Sequence, residues 1–376
     1  MTTKIAVVKL GARIAWGTRD TSGGNGEARS LINMLLGAGA EVHAYTKVLA
    51  KESFNPTPGL IMHQIGDEYK DVNAQDYDAL CIINGNINYF GGLDDPTQTI
   101  IYDIINNFKG KVFYLYCDPN LTLKQAWPTI EKKPWANDYE RKNIEITRED
   151  ITVISQSYNL DHVKTAFDKT GIRIKDFKQY AFEKFPLMFP VPNTLIESQK
   201  EFDLSYGGTM RSGRREKNLI KFYFGLPDSI NVELFGKIKA EDFTPKLVGD
   251  LRHPTYGAAV KYDEMILKMQ KALSHVVIGD EAYEKFEMLN QRIYESILAG
   301  CVTFIDSRLD HKKRVYGGND ILSNFLYVST RDDVVNRVTQ LKNDPEFAKQ
   351  IVDLQTQHTK LDIKEYCEGL VKLIKE

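Results

Sequence analysis

Three glycines, a threonine and three arginines fall within one short stretch, YGGTMRSGRRE, running from Tyr206 to Glu216. That mixture suits a ligand carrying several anionic oxygens. The LSY before it reads as the end of a buried strand and the EKNLIKFYF after it as a helix. The turn therefore lies where a strand hands over to a helix, and a helix N-terminus offers unpaired N–H groups and the positive end of its dipole. Gly207 and Gly208 let the backbone approach a diphosphate, Thr209 can donate a hydroxyl, and Arg211 and Arg215 present planar forks that grip paired oxygens. An arginine-rich surface turn making salt bridges would have the same spacing, so spacing alone leaves both readings open.

Such a turn needs a sheet to hold it. The first half of the chain alternates strand-like and helix-like runs: KIAVVKL, the amphipathic EARSLINMLLGAG, EVHAYT, YDALCIIN, the helix DPTQTIIYDIINNFKG with proline near its start, KVFYLYCD, then ITVISQS and a helix from about Asp161. The proline-spaced FPLMFPVPNT, Phe185 to Thr194, breaks the pattern and reads as a linker. Beyond it the alternation restarts with FDLSYGG, the helix after Arg215, INVELFG, a helix around MILKMQKALS, HVVIGD, the helix MLNQRIYESILAG, CVTFID and NFLYVS. The tail segments RDDVVNRVTQLKND, EFAKQIVDLQTQH and IKEYCEGLVKLIKE read as helices. This alternation implies parallel sheets covered on both faces. The expected organisation is a first domain over 1–185, a linker over 186–194, a second domain over 195–360, and a last helix over 361–376 that packs back toward the first domain.

At 376 residues the chain has room for two cores. With 42% apolar and 27% charged residues it has the balance of a soluble globular protein, and no apolar run is long enough to cross a bilayer, so no membrane partner is expected. The start, MTTKIAVVKLG, reads as a buried strand rather than a secretory signal. Cys81, Cys117, Cys301 and Cys367 are widely spaced without metal-ligand pairing, which fits a reducing cytoplasm. A net charge of −2 argues against a dedicated DNA-packaging protein; attraction to nucleic acid would have to come from a local basic face.

Several unusual strings, in order along most of the chain, resemble the DNA β-glucosyltransferase family of T-even bacteriophages. They are INYFGG (Ile87 to Gly92), the YLYCD strand end at Asp118, AWPTIEKKPWA (Ala126 to Ala136), VISQSYNLD (Val153 to Asp161), the arginine turn, ELFG (Glu233 to Gly236), VIGDEAY (Val277 to Tyr283) and QRIYE (Gln291 to Glu295). The resemblance implies an α/β protein of GT-B architecture: two Rossmann-like, doubly wound parallel-sheet domains facing a central cleft, with C-terminal helices. It implies inverting transfer of a sugar from a UDP-sugar to the hydroxymethyl oxygen of 5-hydroxymethylcytosine in duplex DNA. It places the pyrophosphate on Thr209, Arg211 and Arg215 over Gly208, with Arg292 as a third cation and Glu295 accepting ribose hydroxyls. Arg292 and Glu295 are three apart on an expected helix, and spacing alone would favour an ordinary intrahelical salt bridge. Phe235, Gly236 and the backbone near Ala258 and Ala259 would hold the uracil.

By the same resemblance Asp118 is the catalytic base. A hydroxymethyl group is poorly acidic, so a carboxylate within hydrogen-bond reach must take its proton as the new bond forms, while the arginines meet the charge on the leaving phosphate. Without the resemblance, an aspartate at a strand end before proline is more often a turn former. INYFGG and WPTIEKKPW correspond to DNA-facing segments. Asn88, Tyr89, Phe90 and Gly91 would attend the gap left by a flipped base, and Lys124, Lys132 and Lys133 would neutralise phosphates beside Trp127. In an arbitrary protein such residues would be buried aromatics and a solvated lysine turn.

The segment between Gly11 and Glu27 departs from the family pattern, being longer and glycine-rich in DTSGGNGE. Glu27 matches the family's sugar-contacting glutamate, but its surroundings do not. Glucose is the first expectation for the sugar and a pentose, from UDP-arabinose, the second, because small changes around sugar hydroxyls alter donor choice. Family members are helped by Mg2+ or Mn2+, which makes Asp280 the residue to watch for a loosely held ion near the product diphosphate. A monomer is expected. Two other readings are a donor domain serving a small-molecule or polysaccharide acceptor, and a catalytically silent DNA-binding relative. The latter would have no physical need for Asp118, Arg211, Arg215, Arg292 and Glu295 together.

Overall fold

The computed structural model describes residues 2–9, 23–46, 57–64, 72, 76–83, 103–116, 146–168, 172–181, 200–210, 213–260, 264–359 and 363–376. The chain divides into two compact units, Met1–Met188 with Asp362–Glu376, and Phe189–Leu361. Their helices are α1 (Gly23–Gly37), α2 (Leu160–Asp168), α3 (Arg214–Tyr223), α4 (Pro245–Val248), α5 (Met265–Met269), α6 (Glu281–Phe286), α7 (Arg292–Leu298), α8 (Asp320–Phe325), α9 (Arg331–Asn343), α10 (Pro345–His358) and α11 (Ile363–Lys375).

In the first unit the strands are β1 (Lys4–Lys9), β2 (Glu41–Thr46), β3 (Leu60–Gln64), β4 (Ala79–Ile83), β5 (Lys111–Tyr116), β6 (Ile151–Ser155) and β7 (Ile174–Gln179). They form a parallel sheet in the order β3-β2-β1-β4-β5-β6-β7. The central β4, ALCII, is buried at every position, as a strand covered on both faces must be. The helix α11 returns from the far end of the sequence to this unit. Its Cys367, Leu370, Val371 and Ile374 enter the core formed by Leu31, Ile32 and Leu35 of α1 with Ile5 and Val7 of β1. Burying three such aliphatic side chains contributes on the order of 6 kcal/mol, and the Tyr180 hydroxyl adds a hydrogen bond to the Tyr366 carbonyl. The expected linker Phe185–Thr194 lies outside the described residues.

The second unit repeats the pattern with β8 (Phe202–Thr209), β9 (Val232–Lys237), β10 (Thr255–Gly257), β11 (Ala272–Val277), β12 (Val302–Asp306) and β13 (Tyr327–Val328). These form a parallel sheet in the order β10-β9-β8-β11-β12-β13. Numbering strands within each unit, both sheets share the order 3-2-1-4-5-6, the doubly wound dinucleotide-fold order, and the first adds a seventh strand at its edge.

Two expected helices are shorter than the sequence pattern suggests. The run MILKMQKALS is helical only to Met269, because its last residues open β11, where Ala272, Ser274 and His275 are buried between β8 and β12. The helix expected over MLNQRIYESILAG begins at Arg292, whose backbone N–H donates to the Asn290 side chain at 2.9 Å and so starts the helix there.

Candidate functional site

The carboxyl end of β8 is built for close backbone approach. Gly207, Gly208 and Thr209 lie in register with Phe235, Gly236 and Lys237 of β9. A Cβ on Gly207 would sit 2.3 Å from the Phe235 ring, and one on Gly236, whose φ is +112°, would sit 2.1 Å from the Gly208 carbonyl oxygen. Only glycine fits either place. The Phe235 ring is 1% exposed and packs with Met269, Ala299 and Cys301. What Phe235 offers a ligand at this strand end is therefore main chain, not its ring. Ala259 is exposed beyond the end of β10, the neighbour of β9.

After the strand, Gly213 (φ 84°) leads into α3, which opens with Arg214 and Arg215. The Arg215 guanidinium donates from Nη2 to Asp280 Oδ2 at 3.1 Å and from Nη1 to the Thr209 carbonyl at 3.4 Å. Asp280 follows β11 and caps α6, accepting the Tyr283 backbone N–H at 3.3 Å. The strands β8 and β11 are neighbours whose connections leave in opposite directions, β8 toward β9 and β11 toward β12. The Arg215–Asp280 pair thus spans the topological switch point, outside the carboxyl ends of the strands, where sheets of this order take their ligands. Its side chains are 11% and 14% exposed, so the guanidinium is held in place in a poorly hydrated setting where an added anion would feel it strongly.

Three further groups fix this end of the sheet, and none was foreseen from the sequence. Asn218, three residues after Arg215 and so on the same face of α3, donates to the Gly279 carbonyl at 2.9 Å and accepts from Arg308 at 2.6 Å. Arg308, two residues past β12, clasps the wholly buried Asp306 through Nε at 3.2 Å and Nη2 at 2.7 Å. Glu216 is buried and accepts the Thr244 N–H at 2.7 Å, tying α3 to the start of α4. The helix carrying the arginines is thereby braced against loops following β9, β11 and β12. The spacing of Asn218 from Arg215 was the one sequence signal that could have pointed to this brace.

Arg292 and Glu295 share one face of α7 and form the ion pair that their spacing allows, 2.7 Å long, with the Glu295 side chain 4% exposed. The Arg292 guanidinium also points at the sulfurs of Met265 and, at 3.8 Å, Met269. Burial, together with the Arg292 charge, pushes the imidazole of His275 on β11 down to about 3, so it stays neutral.

Other expected site residues lie outside the described residues: Asp118, two positions past the end of β5, and Asn88, Tyr89, Phe90, Gly91, Lys124, Trp127, Lys132, Lys133 and Arg211. Glu27 falls within α1, its side chain likewise outside the description. Among the described residues there is no grouping of three or more His, Cys, Asp or Glu that could hold a metal ion, and no helix long and apolar enough to cross a membrane.

Residues 40–186 match the family model described as bacteriophage T4 beta-glucosyltransferase. The chain is similar to the T4 β-glucosyltransferases. A DNA beta-glucosyltransferase of Enterobacteria phage T4 is 28% identical over 287 residues, covering 76% of this chain and 79% of that relative. Two solved structures of the T4 phage enzyme, one a mutant in complex with UDP-glucose and one with UDP and Mn2+, superpose with TM-scores of 0.79 and 0.78 at 24% identity over the full length of both chains. The fold is accordingly that of the T4 enzyme, a GT-B arrangement of two parallel-sheet α/β domains with C-terminal helices. The family-model match falls within the first unit and includes Asp118 and the segments from Ile87 to Gly92 and Ala126 to Ala136, while the glycine-arginine strand end belongs to the second.

Proposed function

We propose that this protein is an inverting DNA glycosyltransferase that moves glucose from UDP-glucose to the hydroxymethyl oxygen of 5-hydroxymethylcytosine in duplex DNA, as a monomer in the cytoplasm of an infected cell. The observation that carries the donor half of the reading is the Arg215–Asp280 pair spanning the β8/β11 switch point beside the glycine-lined ends of β8 and β9. Relatedness to an enzyme named for glucosyl transfer to DNA supports the acceptor half.

In this reading the diphosphate lies over Gly208, which brings no side chain of its own, and Arg215 and Arg211 neutralise the charge that builds on it as the glycosidic bond breaks. A cation that is already fixed needs no reorganisation at that moment, which is what the Asp280 and Asn218 contacts supply. Arg292 adds charge from α7, and Glu295 orients it and would accept ribose hydroxyls. Asp118 takes the proton from the acceptor hydroxymethyl as its oxygen attacks the anomeric carbon from the face opposite the leaving UDP, which inverts that centre. The acceptor base is flipped out of the duplex, with Asn88, Tyr89 and Phe90 beside the gap and Lys124, Lys132 and Lys133 on the phosphates.

Asp280 accepts from both Arg215 and the Tyr283 N–H, so an ion bound there would compete with Arg215. The proposed chemistry therefore contains no step through a metal, and Mg2+ or Mn2+ would act on the released diphosphate. UDP-arabinose remains the second donor because of one feature: the glycine-rich departure reaches into the first turn of α1, where Gly23, Gly24 and Gly26 weaken the helix by roughly 1 kcal/mol each. The deciding experiment offers UDP-glucose and UDP-arabinose in parallel to duplex DNA carrying 5-hydroxymethylcytosine, with mass spectrometry of the released nucleosides. A hexose adduct supports glucosyl transfer, a pentose adduct moves the reading to arabinose, and no adduct from either refutes it.

A further inference from the structure

Beside the Arg215–Asp280 pair lies a carboxylate that the proposed reaction leaves unused. Glu284 stands on α6, one turn from Asp280, with its side chain 18% exposed. Its Oε1 is enclosed and finds no hydrogen-bond partner among the described residues. Its Oε2 is 3.9 Å from the Arg214 guanidinium, an ion-pair distance too long for a hydrogen bond. Two neighbouring pairs are closer: Asp280 holds Arg215 at 3.1 Å, and Asp306 holds Arg308 at 2.7 Å. The groups acting on Glu284 are Arg214 and Lys221 from α3, Arg308 and Asp306 from the end of β12, and Glu281 from its own helix. Burial pushes the Glu284 carboxyl up from its ordinary value, against the pull of Arg214 and Arg308.

We propose that Glu284 is a positioning residue of the arginine turn, its carboxylate holding Arg214 until an anionic diphosphate arrives and then releasing it on taking up a proton. The inference rests on the donor reading above. An anion seated on the turn competes for Arg214 and repels the Glu284 charge, and a carboxylate already poorly solvated has little to replace the lost partner, so it protonates. Binding is then linked to proton uptake, and affinity must rise as pH falls. A carboxylate that only braced the fold would give no such slope.

The test is calorimetric titration with UDP-glucose, whose diphosphate diester has no phosphate proton to lose in the range, between about pH 5.5 and 8. The wild-type protein should lose about fivefold in affinity across that range, the lower end for coupling between two sites. Its binding heats should differ between buffers of unequal ionisation enthalpy, reporting the proton taken up. Glu284→Gln keeps the shape without the charge; it should bind about fivefold more tightly than wild type at pH 8 and show a flat profile. Should Glu284→Gln fail to fold by circular dichroism, Arg214→Gln must flatten the profile instead. A flat wild-type profile, or a variant that keeps the wild-type slope, overturns the proposal while leaving the donor reading intact. No UDP-glucose binding at any pH overturns both.

Discussion

Replacing Gly236 by alanine tests whether the β8–β9 strand end is held by backbone geometry. Gly236 sits at φ +112°, a region where an L side chain is strained by about 1–3 kcal/mol. The added Cβ would also lie 2.1 Å from the carbonyl oxygen of Gly208 and 3.1 Å from its carbonyl carbon and amide nitrogen. These are main-chain atoms of the register partner and cannot rotate away. The strands must part by roughly 1 Å at this pair, an overpacking cost of about 1–3 kcal/mol. The two terms sum to about 4 kcal/mol, which for a unit of this size lowers its melting temperature by roughly 8–16 °C. Differential scanning calorimetry measures that shift, and UDP titration of the folded protein measures the consequence for the site, where at least a tenfold loss is expected because Gly208 moves. Gly249→Ala is the control: φ is +55° with nothing within 4 Å of the added carbon, so strain acts alone and costs about 1 kcal/mol. If Gly236→Ala melts within 2 °C of Gly249→Ala and binds UDP like wild type, the close approach of β8 to β9 has no role in stability or binding.

Asp118→Ala should lower transfer to hydroxymethylated duplex DNA by about 10²- to 10⁴-fold, the usual span for a general base, with UDP affinity within twofold of wild type; normal turnover would remove Asp118 from the reaction. Gln355 is wholly buried on α10 and takes the place of a neighbouring strand for β12, accepting the Thr303 N–H at 3.1 Å and donating to the Cys301 carbonyl where β13, paired only at Ile305 and Asp306, does not reach. Gln355→Leu leaves both main-chain groups unpaired and should cost about 3 kcal/mol in urea denaturation; a loss under 1 kcal/mol would mean that water or a shifted strand replaces them. His275 has its folded value depressed to about 3 from 6.5, so the unfolded chain binds the extra proton first as pH falls. Its contribution to stability is therefore intact above 6.5 and is lost by about 1.4 kcal/mol per pH unit down toward 3. Urea midpoints of wild type and His275→Gln at pH 7 and pH 4 should show the smaller acid loss in the variant, and parallel losses would contradict the assignment.

The central strands were legible in the sequence because burial on both faces leaves little choice of residue. KVFYLY and ALCII announce themselves as nearly continuous apolar runs and VTFID by its β-branched and aromatic residues, and each is buried at nearly every position. Of the four edges only β13, within NFLYVS, was legible. β3 and β7 lie at the two margins of the first sheet and β10 at a margin of the second. In β7, IKDFKQ, the residues are half-buried or exposed and two are lysines, which protects an edge from pairing with another chain but erases the strand signature. The three-residue β10, TYG, is too short for any period to show.

The same distinction runs through the site. Gly207, Gly208, Thr209 and Arg215 could be singled out locally, because their types and spacing allow a turn that meets oxygens, although a surface turn of salt bridges would have the same spacing. Asp280 and, through Asn218, Arg308 hold that turn from loops as far as 93 positions away in the chain, a separation given by Arg308 and Arg215 in the sequence, and only the sheet order β9-β8-β11-β12 brings them alongside. An isolated Arg215 at the head of a helix would sample many rotamers and lose about 2 kcal/mol of side-chain freedom on meeting a ligand. Held at 3.1 Å by Asp280, on a helix that Asn218 ties to the Gly279 carbonyl, it has surrendered much of that freedom during folding. Chemistry is thus written locally in this chain, while the preorganisation that would make a fixed cation effective is written in the topology.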